Sequence, residues 1–516
     1  MKAKHAALAL LLAPALGACD SLLTEQPESF ITTDTYYTTP ADVDAAALAM
    51  YNLFYDWNFF KPQHFWTFEL PSDQGRFNPD EPNVETQAPQ FLNWTATSRD
   101  AIQPWKMNYW LIQRANVVID NAAKVQFPDA AQQAALVAEG KFMRAFGYFW
   151  LVRAYGGVPV FTSLDEQRIG DKPRATEGEV LDQIIKDAGE AAAALPERRS
   201  GLQLGRATRG AALALLADAY RWKANAVSNN NRADWQGAAD AAKRVIDSGV
   251  YSLRPNYLDA FLPGSQSRSE EIFAAQAIGQ GWFGTSMYGA IFFPRNLPGV
   301  EGWAVVVPTP GFYNSYIAGD YRHQVTFRTR ACADGSDDGC AESAKIDFTP
   351  VNFPGFGTRG YPHVYKYRPS DRGRNFYEGG DVNTPFYRYA EVLLIYAEAQ
   401  NALGNDAEAL RYVNLVRARA RNGTGGENRA QPADLAGLGG VALKDAIYQE
   451  RSWELAFELK RWFDLVQRGE QYFVAQLMKN DPFADELGNV DRTHMRLPIP
   501  AEEIQKNPKI EQNPDY

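Results

Sequence analysis

Apolar residues recur at intervals of three and four positions in two blocks of the chain, which predicts amphipathic helices there. In the first helix Val43, Ala47 and Tyr51 share one face. Thr39 and Pro40 mark its start, because threonine caps a helix and proline suits the first turn. The same periodicity predicts helices over 105–122, 141–155, 177–195, 208–222, 235–247, 389–403, 407–421 and 443–467. The fold class predicted is therefore mainly α.

Short loops separate several of these helices, and small residues mark the places where neighbouring helices would cross. They are Ala211, Ala214, Ala217 and Ala219 on one helix, and Ala238, Ala239 and Ala242 on the next. This arrangement is typical of tetratricopeptide-like helix pairs, although no strict repeat of about 34 residues persists along the chain. The sequence thus predicts a scaffold of helix pairs, a type of surface that commonly binds another protein.

The stretch from about 251 to 385 differs from both helical blocks, because it is rich in glycine, proline and aromatic residues and has little sustained periodicity. The segment 56–104 has the same character, and its aromatic residues include Trp57, Phe65, Trp66, Phe77, Phe91 and Trp94. Loops on a rigid scaffold are where binding residues concentrate. We therefore expect a helical scaffold at about 38–250 and 386–470, with a loop-rich ligand-binding insert at about 251–385.

Composition and charge limit the kinds of partner that the protein can have. Hydrophobic residues make up 45% of the chain, as in a globular protein, and the formal net charge is −10. An acidic chain does not attract nucleic acid or anionic lipid electrostatically, so we expect no nucleic-acid partner.

The amino terminus has the pattern of an exported lipoprotein. Lys2 and Lys4 precede an apolar run over 6–16, and small residues flank Cys19. That run is shorter than the roughly 20 residues needed to span a bilayer. We predict a signal peptide over 1–18 and a lipid anchor on Cys19, with an ordinary secretory signal cut nearby as the alternative.

Two further cysteines, Cys332 and Cys340, are close in sequence. An exported compartment permits disulfides, so a local bridge closing the loop 333–339 is predicted. Asp334, Asp337 and Asp338 within that loop offer calcium binding as the alternative, although the spacing lacks a glutamate at the twelfth position of a calcium loop.

Motifs for catalysis and cofactor binding give mostly negative results. The segment 355–360 matches GxGxxG, but Pro354 and Pro362 flank it, so no strand enters and no helix leaves the motif. The chain has no GxSxG, HExxH or Walker sequence. The histidines of the mature chain, His64, His323, His363 and His494, do not form a metal-binding box. We predict neither a metal nor a cofactor.

Three acidic residues, Glu450, Glu454 and Glu458, recur at every fourth position of the last predicted helix and are interleaved with basic residues. This spacing predicts a charged face or an ion-pair network. Catalysis by a pair of carboxylates, as in glycosidases, is the alternative interpretation.

The run over 450–466, ERSWELAFELKRWFDLV, resembles the carboxy-terminal signature of the SusD/RagB family of outer-membrane nutrient-binding lipoproteins. Other matching segments are RYAEV at 388–392, YAEA at 396–399, NLVRARA at 414–420 and LPIP at 497–500, and towards the amino terminus RAF at 144–146, YGGVP at 155–159 and ATRGA at 207–211. The resemblance spans nearly the whole mature chain in the expected order. Leu459 and Lys460 depart from it, since many members carry glycine and histidine there.

The resemblance implies a single SusD-like domain over 19–516, built of tetratricopeptide-like units and held by lipid at the outer membrane, facing the cell exterior. It also implies a non-catalytic protein that captures oligosaccharides or peptides for a partner TonB-dependent, SusC-like transporter. Arg461, Trp462 and Asp464 of the signature are assigned to the scaffold. Asp20, directly after the lipidated cysteine, retains some bacterial lipoproteins at the inner membrane, which leaves that location as an alternative.

Capture of a sugar needs flat aromatic rings for the C–H face and polar partners for the hydroxyl groups. The candidates in the middle loops are Trp282, Phe283, Tyr288 and Trp303, and those in the first loop segment are Trp94, Asn93, Phe77 and Arg76. For each ring, burial beneath a long loop is the alternative.

Two other classes of protein stay open. A pure interaction scaffold would use the helix pairs and bury the loop aromatics. A secreted glycoside hydrolase would need two carboxyl groups roughly 5–9.5 Å apart in one cleft.

Overall fold

A computed structural model describes residues 36–78, 87–262, 269–277, 286–294, 302–332, 340–347, 362–367, 380–479, 487–488, 490–514 and 516. The predicted signal peptide and Cys19 lie outside these residues, as do Trp282, Phe283 and the aspartates of the loop 333–339.

The amino-terminal block is helical. Its helices are α1 (Pro40–Asn52), α2 (Gln63–Glu69), α3 (Gln87–Gln90), α4 (Arg99–Ala122), α5 (Ala130–Tyr155), α6 (Leu164–Ile169), α7 (Glu177–Ala194), α8 (Arg209–Trp222) and α9 (Arg232–Asp247). Thr39 caps α1 as predicted, with the Asp42 carboxylate accepting from the Thr39 backbone N–H at 2.8 Å. Helices α4 and α5 begin earlier than predicted. Pro104 lies inside α4, where proline is normally unfavourable, and the first turns of α5 are largely exposed and carry little of the apolar stripe from which the prediction was made.

The middle of the chain contains short elements. They are α10 (Tyr288–Phe292), α11 (Pro310–Tyr313), α12 (Tyr321–Thr326) and the strands β2 (Glu271–Ala275), β3 (Val306–Pro308), β4 (Phe327–Arg328), β5 (Arg330–Ala331), β6 (Ile346–Asp347), β7 (His363–Val364) and β8 (Thr384–Arg388). Strand β1 (Gly75–Phe77) lies earlier, between α2 and α3. The strands form two-stranded antiparallel pairs, β1 with β3, β2 with β8, β4 with β7 and β5 with β6. Cys332 and Cys340 form the predicted disulfide.

The carboxy-terminal block returns to helices. They are α13 (Tyr389–Ala402), α14 (Asp406–Ala420), α15 (Gly440–Glu454), α16 (Arg461–Val466), α17 (Glu470–Leu477) and α18 (Ala501–Lys506). The stack runs in order: α4 packs on α5, α5 on α7, α7 on α8, α8 on α9, and α9 on α13. The alanines predicted at the crossing of α8 and α9 are buried. The chain is thus mainly helical, as predicted, and the two blocks form one continuous stack.

The continuous helix predicted over 443–467 is wrong. Helix α15 ends at Glu454 and α16 begins at Arg461. Between them Phe457 and Leu459 have φ values of 59° and 61°, in the left-handed region that a helix cannot contain. Glycine adopts this conformation without steric cost, but this chain has a phenylalanine and a leucine there.

The core follows the helix stack and continues under the middle loops. Its largest fully buried side chains include Trp222, Trp235 and Trp462. In the part of the chain that the structure describes, every helix is too short or too polar to cross a membrane.

Candidate functional site

Two tryptophans of the first loop segment meet a third from the middle loops. The ring centroid of Trp57 lies 6.2 Å from that of Trp66 and 5.7 Å from that of Trp303. Trp57 and Trp303 are half-buried, and Trp66 is 8% exposed. We call these three residues the tryptophan cluster.

Short pieces of regular structure hold the cluster in place. Trp57 follows the 3₁₀ turn Leu53–Tyr55 that ends α1, and Trp66 lies on α2. The backbone N–H of Trp303 donates to the Ala290 carbonyl on α10 at 2.6 Å. The β1–β3 pair continues past Phe77, because Asn78 donates its backbone N–H to Val305 and its side-chain amide to Ala304, both at 2.8 Å.

Polar groups lie close to Trp57 in sequence and in space. The Asn58 side-chain oxygen accepts from an Arg99 Nη2 at 2.7 Å, and the Asp56 carboxylate accepts from the Asn58 backbone N–H at 2.8 Å. Burial lowers the pKa of Lys61, and the neighbouring Asp56 opposes that shift. Aromatic rings bordered by an amide, a guanidinium and a carboxylate suit a ligand with apolar C–H faces and hydroxyl groups.

Only part of the predicted ligand set is brought to this cluster. Trp303 belongs to it, and Asn93 is exposed on the first loop segment. Trp282 and Phe283 lie outside the described residues. Trp57 and Trp66 are not among the residues that the sequence predicts to bind ligand, because composition gives no indication of which rings meet.

The other predicted rings are buried. Tyr288 is 1% exposed and lies 4.8 Å from the Tyr367 ring, and Phe77 is 3% exposed. Trp94 is 3% exposed and donates its indole N–H to the Tyr516 hydroxyl at 2.9 Å. None of these rings presents a face to solvent, so the structure assigns them to packing in place of ligand contact. The Arg76 side chain is buried as well, which moves it from the ligand set to the interior.

The acidic residues of the signature form a buried ion-pair network, as the first interpretation predicted. Glu450 accepts from Arg322 and Arg417, both at 2.6 Å. Arg388 donates to Glu454 at 3.1 Å and to Glu458 at 2.8 Å. The three carboxylates are at most 3% exposed, so a substrate cannot reach them.

Arg461, Trp462 and Asp464 are also interior groups, in agreement with their assignment to the scaffold. Arg461 pairs with Asp73 at 2.6 Å, and Asp464 pairs with Arg451 at 2.8 Å. Arg388 and Lys366 hold the pKa of Glu458 down to about 2 against the effect of burial, so this carboxylate is charged at neutral pH.

Comparison with known proteins agrees with this fold. The family model described as "SusD family" matches residues 269–516, and the model described as "Starch-binding associating with outer membrane" matches residues 33–220. The chain is 29% identical to SusD-like protein P2 of Formosa agariphila, with 100% of each chain covered.

Solved structures with a similar fold are also SusD proteins. A SusD superfamily protein from Parabacteroides distasonis has a TM-score of 0.75 and 25% identity, covering 92% of this chain and 99% of that one. A laminarin-binding SusD-like protein has a TM-score of 0.73 and 25% identity, covering 93% and 100%. Together the two family models match most of the amino-terminal helices, the loop-rich middle from residue 269 and the whole carboxy-terminal block, in order along one chain. The chain therefore belongs to the SusD family.

Proposed function

We propose that this protein is a non-catalytic surface lipoprotein that captures oligosaccharides with its tryptophan cluster and delivers them to a partner TonB-dependent transporter. The observation that carries the proposal is the meeting of Trp57 and Trp303, with ring centroids 5.7 Å apart. The two large rings are half-buried and tilted by 53° to each other, so they offer two adjoining apolar surfaces on which the C–H faces of consecutive sugar units can stack.

Polar neighbours supply the contacts to hydroxyl groups. In this proposal Arg99 donates, Asp56 accepts and Asn58 does both. Asp56 and Asn58 are the chain neighbours of Trp57, and Arg99 is bonded to Asn58. Trp282, Phe283 and Asn93 are the loop residues that we propose to contribute further contacts. The laminarin-binding relative and the family model named for starch binding support glycan as the ligand class.

In this proposal the protein lies at the outer membrane, faces outward and is held by lipid on Cys19, with residues 19–516 as one domain. Cys19→Ser tests the anchor. We expect the variant to lose labelling by radioactive palmitate and to leave the outer-membrane fraction. Fractionation of the wild-type protein with the inner membrane would instead support retention by Asp20.

A calorimetric titration tests the capture function. The purified mature protein is titrated with a panel of polysaccharides, oligosaccharides and peptides, and each ligand is recovered and analysed for cleavage. We expect saturable binding of at least one glycan, which is recovered intact. Binding of peptides alone would move the ligand class to peptides. Cleaved glycan would indicate an enzyme, and a complete lack of binding would favour the interaction scaffold.

A further inference from the structure

A cleft with two lobes lies apart from the tryptophan cluster, where the turn between α7 and α8 meets the end of α9 and strand β2. One lobe has a volume of about 270 Å³ and the other about 320 Å³. Glu197, Val250 and Tyr251 line both lobes. Each lobe is near the lower end of the roughly 300–1,000 Å³ of ligand pockets, so it suits a small ligand and excludes a long chain.

The wall between the lobes is built into the fold. The Tyr251 ring packs over Gly210, where an added Cβ would lie 2.4 Å from the ring. The Tyr251 hydroxyl is 3.0 Å from the Thr208 hydroxyl, which caps α8. The absence of a side chain at Gly210 thus lets Tyr251 divide the cleft while its hydroxyl keeps a polar partner.

The arginines of the smaller lobe differ in their partners. Arg206 is held by Glu139 at 2.8 Å and by Asp44 at 2.6 Å, and Arg199 pairs with Glu139 as well. Arg198, in contrast, is exposed and forms no ion pair with any residue that the structure describes. The charges of Arg199 and Arg206 are therefore balanced by Glu139 and Asp44. Arg198 is the guanidinium available to a ligand.

The remaining lining is part polar and part apolar. Ser200 is exposed at the rim, and its hydroxyl has no hydrogen bond within the described part of the chain. Leu204, Val250, Ile272 and Phe273 supply apolar surface. A ligand with an apolar face and a rim of hydroxyl groups, carrying no charge of its own, satisfies both kinds of lining.

The cleft also contacts the segment that bears the tryptophan cluster. Gln276 lines the smaller lobe, and its backbone carbonyl accepts a hydrogen bond from the Tyr55 hydroxyl. Tyr55 closes the 3₁₀ turn that leads into Trp57. The hydrogen bond between Tyr55 and Gln276 thus links the cleft to the turn that leads into Trp57.

We infer that this cleft is a second saccharide site, which takes one or two neutral sugar units. It is separate from the tryptophan cluster and does not require that the cluster bind glycan. One unit lies in the smaller lobe, where Arg198 and Ser200 contact its hydroxyl groups and the apolar lining contacts its ring face. A second, linked unit passes Tyr251 into the larger lobe.

The test uses the full mature protein carrying Trp57→Ala and Trp303→Ala, so that binding at the cluster does not mask the cleft. Saturation-transfer NMR measures binding of glucose, galactose, mannose, cellobiose, laminaribiose and maltose. Ser200→Trp, added to this background, fills the smaller lobe, and Arg198→Ala removes the guanidinium. Leu202→Trp is the matched control, because Leu202 is on the same turn, is fully exposed and lines neither lobe.

We expect at least one of these sugars to bind the background protein. Its Kd should rise about tenfold or more with Ser200→Trp and severalfold with Arg198→Ala, and stay within about twofold with Leu202→Trp. Binding of none of the panel, or equal binding by the Ser200→Trp and Leu202→Trp proteins, would overturn the inference. Failure of the proposed capture function is a different result, namely that the wild-type protein does not bind polysaccharide.

Discussion

The side-chain carboxyl oxygen Oε2 of Glu69 accepts a hydrogen bond from the backbone N–H of Leu459 at 3.0 Å. The side-chain amide oxygen of Gln74 accepts a hydrogen bond from the backbone N–H of Phe457 at 3.3 Å. Both acceptors belong to the loop segment that also carries Trp66, and both donors belong to the left-handed turn between α15 and α16. These two hydrogen bonds therefore link the loop segment that carries Trp66 to the turn that follows α15.

Glu69→Gln should change how stability depends on pH. Burial raises the pKa of Glu69 from 4.5 to about 8. Between those values the folded protein holds a proton that the unfolded chain lacks, so the free energy of unfolding falls as pH rises across this window. Glutamine keeps an acceptor for Leu459 but has no such proton. We expect the loss of stability between pH 5 and pH 8 to be smaller in the variant, by up to a few kcal/mol, since one pKa unit corresponds to about 1.4 kcal/mol.

Chemical unfolding of both proteins at the two pH values measures this difference. Other buried acids, such as Asp100 with its pKa raised by burial to about 6, titrate in both proteins and cancel in the comparison. Glu69→Ala is the control for the hydrogen bond and should be destabilised at both pH values. The same pH dependence in wild type and Glu69→Gln would contradict the prediction.

Arg388→Met should strongly destabilise the fold. The guanidinium bridges Glu454, Glu458 and Glu270 in the interior, with Glu270 at 2.6 Å. Removing one partner leaves buried charges uncompensated, which costs about 3–5 kcal/mol. The measurement is the shift in the free energy of unfolding by denaturant.

The matched control for that variant is Arg168→Met. Arg168 pairs with Asp165 at 3.0 Å, but both side chains are more than 80% exposed. Exposed substitutions of this kind change stability by about 0.5 kcal/mol or less. Equal changes in the free energy of unfolding for the two variants would show that the interior ion pairs do not stabilise the turn between α15 and α16.

Two glycines should respond to alanine in opposite directions. A Cβ at Gly157 would lie 2.1 Å from the backbone carbonyl oxygen of Ala175, which cannot move aside cheaply, so Gly157→Ala should lower the melting temperature by several degrees. A Cβ at Gly189 meets nothing within 4 Å, and Gly189 lies inside α7. Gly189→Ala should stabilise the protein by about 0.5–1 kcal/mol, because alanine favours the helix. Calorimetric melting of both variants tests the pair, and a stable Gly157→Ala protein would show that this contact is not tight.

The helical scaffold was predictable because its signals are local. Thr39 and Pro40 give the start of α1, and apolar periodicity gives the packed faces of the long helices. The predicted ends were off where the signal was weak, as at the first turns of α5, which are largely exposed.

The break after Glu454 was not predictable in the same way. The run from Leu455 to Lys460 contains neither glycine nor proline, and its apolar and charged pattern suits a helix. The left-handed conformations of Phe457 and Leu459 depend on acceptors more than 380 positions earlier in the chain, at Glu69 and Gln74. Such tertiary hydrogen bonds override local propensity.

The sequence predicts the type of residue in the candidate site and its location in loops, but not which residues meet. The sequence indicates that aromatic residues in loops bind the ligand, and on that ground it predicts Trp303. Its partner Trp57 comes from the other loop segment, and the meeting of the two depends on α10 and on the β1–β3 pair. Whether a loop ring is buried, as Trp94 is, or half-exposed cannot be read from composition.

Trp94→Ala should therefore act on stability. Its ring packs edge-on against Trp462, with centroids 6.3 Å apart, and its indole N–H bonds Tyr516. Loss of a buried tryptophan costs about 3–5 kcal/mol. Thermal unfolding should show this loss, and a variant as stable as the wild type but deficient in glycan binding would return Trp94 to the ligand set.

The most direct test of the central claim is the Kd of one bound glycan for the wild-type protein and for the Trp57→Ala/Trp303→Ala variant. We expect the Kd to rise by about ten- to a hundredfold, because both rings that stack on the sugar are gone, while the circular dichroism spectrum stays that of the folded protein. An unchanged Kd in a folded double variant would contradict the account, since it would place the glycan away from the tryptophan cluster.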